Sequence, residues 1–431
     1  MNTLFKRFFT AIVSVLPLLF IFNACDIVSD NELPILDFAE REDIILTRSQ
    51  SDFVNNNQEF AFELFKEVSE SKGFNESFII SPLSVTIALG MVTNGAEGET
   101  RKEINETLGY KDESLEELNN FCNTMLTELP KVDPSTAIEF ADMALINSLR
   151  TPLKDNFSKL LENDYSANVV YKNFGEDNIM PYVNKWCEDN THGMITNFLK
   201  SEPNIWDYAH FLNATYFKGI WSSGFKKKDT KKQSFYLENG SKADVEMMHQ
   251  KGNFKYISIP DRASAVCLPF GNKAFSMTFL LPEEGLSVEQ FCLSLDSDLW
   301  EKIVKDKQER VVDVMIPSFE SEYGTEDIRK ILQDMGIVRA FDPRAADFSE
   351  MTDQIGVAIQ GVLHKAKITV NEDGSKAAAV TDVYMAASTG IGGHAIPAPE
   401  IVFHADRPFI YAITEVSTGA ILFIGQYTGK E

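Results

Sequence analysis

The chain has 431 residues, 44% hydrophobic and 24% charged, the balance of a folded globular protein rather than a disordered one. Its formal net charge of −24 argues against a nucleic-acid partner, because contacts to a phosphate backbone need clustered Lys and Arg. The one basic cluster, Lys226, Lys227, Lys228, Lys231 and Lys232, reads as a solvated, charged turn.

In chain order, Lys6 and Arg7 precede an apolar run from Phe8 to Phe22 that is followed by Asn23-Ala24-Cys25. This pattern predicts a secretory signal over residues 1–24. The run falls short of the roughly 20 apolar residues that a transmembrane helix needs. Cysteine directly after a small residue resembles the lipobox of bacterial lipoproteins. That resemblance implies lipid on Cys25, an address in the bacterial cell envelope, and membrane contact only through the anchor. The alternative is an ordinary signal peptide and a secreted, soluble product. Residues 25–52 are polar and acidic and read as a tether, leaving 53–431 as one domain.

Phe60, Leu64 and Val68 lie on one helical stripe within Phe53 to Ser71. Ser81-Pro82-Leu83-Ser84 opens a second helix, with a hydroxyl as cap and Pro in the first turn. Helical, charged segments continue to about residue 200. Strand-like runs then dominate: Ser264 to Leu268, Ser276 to Leu281, Val311 to Ile316 and Ile421 to Gly425. Helices first and strands later predict an α+β domain. Cys122, Cys187, Cys267 and Cys292 allow three pairings, but a chain of this length does not need staples, and they read as unpaired, mostly buried thiols. Zinc, nucleophile-elbow, phosphate-loop and Cys-x-x-Cys motifs are absent, so the sequence points to no enzyme, metal or cofactor.

Five blocks, in matching order from about Phe53 to the C-terminus, resemble the serpin family. They are SFIISPLSVTIALGMVTNGAEGET; NKWCEDNTHGMI, with Thr191, Gly193 and Ile195; FLNATYFKGIWSSGF, with Asn213 and Trp221; HKAKITVNEDGSKAAAV; and FHADRPFIYAI, with Phe403, Asp406, Arg407, Pro408 and Phe409. The resemblance implies a fold of about nine helices and three β-sheets with an exposed, mobile reactive-centre loop near the C-terminus. It implies a metastable monomer that inhibits serine endopeptidases irreversibly, with cysteine endopeptidases as a further target class. A target cuts the loop, forms an acyl-enzyme and is trapped covalently when the loop inserts into the main sheet.

That mechanism makes demands on NEDGSKAAAVTDVYMAASTGIGG, residues 371–393. Side chains of a strand alternate between two faces. From the hinge, Ser375, Ala377, Ala379, Thr381, Val383 and Met385 form one uncharged face, while Lys376, Asp382 and Tyr384 share the other with Ala378 and Val380. No Pro interrupts the run, and Gly374 can absorb a large dihedral change. The resemblance assigns Glu372, Gly374, Ser375 and Ala377-Ala378-Ala379 to the hinge, where small residues mark inhibitors. Its counting rule places the reactive bond at Ser388-Thr389, with Ala387 as the alternative; Tyr384, Met385 and Ile391 are further possible cuts. Small residues at 386–389 suit elastase-like or subtilisin-like targets rather than trypsin-like ones.

The resemblance also assigns Ser81, Ser84, Asn213 and His364 to a hydrogen-bonded shutter under the main sheet, and Trp221 to the breach where insertion begins. Ser77 stands where the family often has Asn. Ser318 follows Ile316-Pro317 where a basic partner for Glu372 is frequent, which leaves that ion pair in doubt. The segment TRKEINETLGYKDESLEEL is acidic on balance, so no heparin response is expected. The rival reading is a non-inhibitory serpin acting as carrier or chaperone.

Overall fold

Thr47 and Gln50 form a reciprocal capping box, which fixes the start of the first helix at Arg48. The computed structural model describes residues 38–110, 115–374 and 401–430, the side chains of 325–327 excepted. Helix α1 (Arg48–Ser71) buries Phe60, Leu64 and Val68, the stripe read from the sequence. It begins inside the stretch expected as tether, and Ile44 before it is already buried, its N–H donating to Ser417 Oγ at 3.0 Å. The folded body therefore starts ahead of residue 53.

Eight more helices follow among the described residues. These are α2 (Pro82–Gly95), α3 (Gly98–Thr107), α4 (Leu115–Glu128), α5 (Asp155–Asp164), α6 (Ile179–Asn190), α7 (Val288–Ser294), α8 (Ser297–Asp306) and α9 (Arg329–Asp334). Ser81 caps α2 by accepting from Ser84 N, with Pro82 in the first turn, as its sequence requires. Every residue of α2 is buried, consistent with a segment that is apolar on all sides. That deep helix brings two serines into the interior.

The strands are β1 (Phe78–Ile80), β2 (Ala137–Asn147), β3 (Asn168–Lys172), β4 (Ala209–Lys218), β5 (Lys231–Tyr236), β6 (Lys242–Ile259) and β7 (Ala263–Phe270). They continue with β8 (Phe275–Pro282), β9 (Gln308–Pro317), β10 (Phe319–Asp327), β11 (Gly361–Val370), β12 (Ile401–His404), β13 (Phe409–Glu415) and β14 (Ile421–Tyr427). Strands β2 and β3 fall in the region that reads as helical from sequence. Strand β3 is only five residues long and easily passed over, although Val169, Val170 and Tyr171 favour a strand, and β2 carries Asp142 amid apolar residues.

One sheet has five strands in the order β10-β11-β4-β2-β3. The other has nine, β1-β14-β13-β8-β7-β6-β9-β12 with β5 paired to β6. The three sheets implied by resemblance connect as two here, because β6 pairs with β5 and β9 along most of its length and with β7 at its end. In the five-stranded sheet β4 and β11 are direct parallel neighbours, from Gly361↔His210 to Lys367↔Tyr216. All four cysteines of the body are free and buried. Burial pushes the thiols of Cys122 and Cys187 up to about 12 and that of Cys292 to about 11, so they behave as small apolar side chains.

Candidate functional site

The β4/β11 seam is pinned at mid-height by a buried polar row. Asp142 on β2, Asn213 on β4 and His364 on β11 stand in register across three strands. Asn213 Nδ2 donates to Asp142 Oδ1 at 2.9 Å, and His364 Nδ1 lies 3.2 Å from Asn213 Oδ1. From beneath, the N–H of Ser81 donates to His364 Nε2 at 3.1 Å. A ring nitrogen that accepts carries no proton, so the imidazole is neutral with its proton on Nδ1, aimed at Asn213. Burial agrees, pushing the imidazolium down to about 3.

Ser84 Oγ is 3.4 Å from the same Nδ1, and Ser81 Oγ donates to the carbonyl of Leu422 on β14 at 2.6 Å. The four residues assigned to the shutter are thus one cluster. Asp142 is the member that motif matching missed, although a lone carboxylate inside the apolar run Phe140 to Ile146 was a signal. Ser77 lies apart from it, bonded to Thr428 at the end of β14.

Asp142 is the anomaly of the row. It is buried, and its Oδ2 has no hydrogen-bond partner. Burial raises its pKa from 3.8 to about 7, against the opposing effect of the bond from Asn213. A carboxylate here would be an uncompensated charge in a low-dielectric interior.

At the top of the seam, Asn371 and Gly374 exchange backbone hydrogen bonds of 2.8 and 3.1 Å in a tight turn after β11. That turn crosses to the end of β4, where Gly374 bridges to Ile220. Gly374 has φ +117°, and a Cβ there would lie 2.3 Å from the carbonyl oxygen of Gly219, so only glycine fits. Trp221 stacks on Phe270 with ring centroids 4.3 Å apart and planes 12° apart. Its Nε1 donates to the Asn371 carbonyl at 2.9 Å and its backbone N–H to the Asp373 carbonyl at 3.1 Å. Gly374 itself therefore stands at the mouth of the seam between β4 and β11.

Glu372 has no basic partner at Ser318, whose hydroxyl instead donates to the Val370 carbonyl at 3.1 Å. Its carboxylate accepts from Thr230 Oγ1 at 2.7 Å, and its carbonyl accepts from Phe225 N at 2.9 Å. Of the lysine run, Lys227 and Lys228 lie on an exposed single turn, Lys227–Asp229, whereas Lys231 and Lys232 open strand β5; Lys227 Nζ also reaches the hinge, 3.3 Å from Asp373 Oδ2. Thr230, Lys227 and Asp373 had no local signal, since only the fold brings them together. Ser375, Ala377, Ala378, Ala379, Ala387, Ser388, Thr389 and Cys25 lie outside the described residues.

A family model described as "Serpin (serine protease inhibitor)" matches residues 55–429. The chain belongs to the serpin family. It is 34% identical over 359 residues to Iripin-3 of Ixodes ricinus, covering 81% of this chain and 88% of that protein. It is 31% identical to a serpin-like protein of Thermococcus kodakarensis, covering 89% of this chain and 87% of the relative. Among solved structures, the thermophilic serpin tengpin in its native state superimposes with a TM-score of 0.79 at 29% identity, covering 91% of this chain and 97% of tengpin. Serpins are generally protease inhibitors and bind target proteases. Within this serpin, β4 and β11 are neighbours with no strand between them.

Two outcomes follow from the buried row. Asp142→Asn keeps the shape and removes the ionisable group. The native pKa of Asp142 is above that of the unfolded chain, so its favourable contribution is complete below pH ~4 and is lost as pH rises through about 7. The variant should melt alike with the parent at about pH 4 and progressively higher than it as pH rises to 8. A gap that does not change with pH in thermal unfolding contradicts the assignment. His364→Ala removes the pin between β4 and β11 and should speed spontaneous conversion or polymerisation on mild heating, read by native gels. An unchanged rate counts against the pin.

Proposed function

We propose that the chain is an irreversible suicide-substrate inhibitor of serine endopeptidases, with elastase-like or subtilisin-like targets. The observation that carries this reading is the seam. Strands β4 and β11 are parallel, and parallel pairing is slightly less stable per residue than antiparallel. A segment that continues from β11, turns at Gly374 and folds back runs antiparallel to both neighbours. Its insertion replaces one parallel ladder with two antiparallel ones.

In this mechanism the protease serine attacks the Ser388 carbonyl, forms an ester and releases the amine of Thr389. From Gly374 to Ser388 is roughly 46 Å at about 3.3 Å per residue. That span exceeds the 10-residue strands it would join, so a protease bound at Ser388 would be carried to the far end of the sheet. Insertion must outrun hydrolysis of the ester, and the small, uncharged face from Ser375 to Met385 supports rapid passage. We further propose that the protein acts as an exported monomer, held at a bacterial cell envelope by lipid on Cys25 or secreted.

Incubation with pancreatic elastase and with subtilisin should yield a complex that survives SDS and boiling. The released C-terminal peptide should begin between Ala387 and Gly390 by mass spectrometry. Ordinary turnover with no complex contradicts the inhibitor reading, and a peptide beginning elsewhere refutes the bond. Ser375→Arg would force a cation into the sheet without a partner, at a penalty of several kcal/mol. It should divert the reaction from complex to turnover, measured as a raised inhibitor-to-protease ratio at full inhibition; an unchanged ratio contradicts the inward assignment of Ser375.

A further inference from the structure

Beyond residue 400 the chain lands on β12, four residues long and at the edge of its sheet. Its sheet neighbour is β9, in parallel register from Ile401↔Val312 to His404↔Met315. So short a ladder holds few hydrogen bonds. A second attachment crosses it. His404 on β12 and His249 on β6 flank Met315 on β9 from opposite sides. Asp313, two residues before Met315, lies on the same face of β9. His404 Nε2 is 2.9 Å and His249 Nε2 3.0 Å from the same oxygen, Asp313 Oδ1. Partial burial pushes the Asp313 carboxyl up, but the hydrogen bonds from His404 and His249 outweigh it and hold the group below the usual carboxylate range. One ionised carboxylate thus ties three strands by two charge-assisted hydrogen bonds. Nothing in the seam, the hinge or the attack on the loop uses it.

Its place relative to the loop gives it a consequence, which rests on the inhibitor reading above. Suppose the intact loop inserts as far as Ser388, roughly 46 Å from Gly374 at about 3.3 Å per residue. The thirteen steps from Ser388 to Ile401, roughly 43 Å at about 3.3 Å each, would then have to climb back. Strand β12 lies level with the hinge, since Phe403 and Gln250 flank Val314 and Gln250 Nε2 donates to the carbonyl of Ser223, two residues after Trp221. The return is thus about as long as the descent, and the connection has no slack for it with β12 in place. Full insertion of an intact loop therefore requires β12 to leave β9. Insertion after a cut at Ser388-Thr389 makes no such demand, since the two sides of the bond are then separate.

We propose that the His249–Asp313–His404 bridge fastens β12 and so guards the uncut protein against self-insertion, without acting on insertion after cleavage. Asp313→Asn and His404→Ala test this. Each should shorten the half-life of inhibitory activity, during incubation at 37 °C without protease, by about tenfold, the low end for loss of hydrogen bonds to a charged group. Freshly prepared variants should form complex with elastase at the parent rate, and their loop-cleaved forms should melt with the cleaved parent. A general packing defect would instead lower the melting of the cleaved forms and overturn the proposal, as would unchanged half-lives in both variants. Urea-gradient gels follow conversion of the uncut protein with no protease present, so they score the fastener even if the parent inhibits nothing. Faster conversion in Asp313→Asn upholds it, and equal conversion overturns it.

Discussion

The parallel contact between β4 and β11 is the constraint on which the rest of the molecule turns. Both strands have ten residues and both are long enough to take a partner on the side where they now meet. Each hydrogen bond across the seam satisfies a backbone group that an antiparallel strand would satisfy with straighter geometry. The surrounding structure fits this seam. The deep helix α2 offers Ser81 and Ser84 from below, β2 offers Asp142 from the side, and a turn sets Gly374 at the open end. A sheet built only for stability would have no reason to leave a fully buried carboxyl oxygen without a partner beside such a contact.

The row Asp142–Asn213–His364 also shows why the seam holds in the uncut protein. A neutral imidazole with one acceptor and one donor nitrogen can bond a helix N-terminus on one side and a neighbouring strand on the other. Inserting a strand separates Asn213 from His364 and obliges both to find new partners. The barrier thus contains a term for breaking a buried polar network, whose members have no water to fall back on. At the top, Trp221 and Thr230 grip the chain only as far as Gly374, through the Asn371 and Asp373 carbonyls and the Glu372 carboxylate. Side-chain restraint thus reaches as far as the hinge, with a dense polar seam below it.

Much of this was legible in the residues. The stripe Phe60, Leu64 and Val68 and the Ser-Pro opening of α2 gave their helices directly, because capping and periodicity are local. The family blocks located Ser81, Ser84, Asn213, His364 and Trp221, and the fold brings the first four into one cluster and the fifth to the hinge. Strands β2 and β3 were less legible, since five residues are easily passed over and an apolar run broken by Asp142 carries a weak local signal. Thr230, Lys227 and Asp313 were hidden for a different reason. Their partners Glu372, Asp373 and His404 lie far away in the chain, and such pairings depend on sheet register rather than on spacing.

In the proposed mechanism a strand is missing from the five-stranded sheet, and the chain itself carries that strand. Calorimetry of the purified protein before and after a single cut in residues 386–390 tests that statement without reference to any target. The cleaved protein should unfold at a much higher temperature than the intact one, because the freed segment completes the ladder between β4 and β11. Equal unfolding temperatures, or a lower one after cleavage, would show that the seam does not open and would contradict the account.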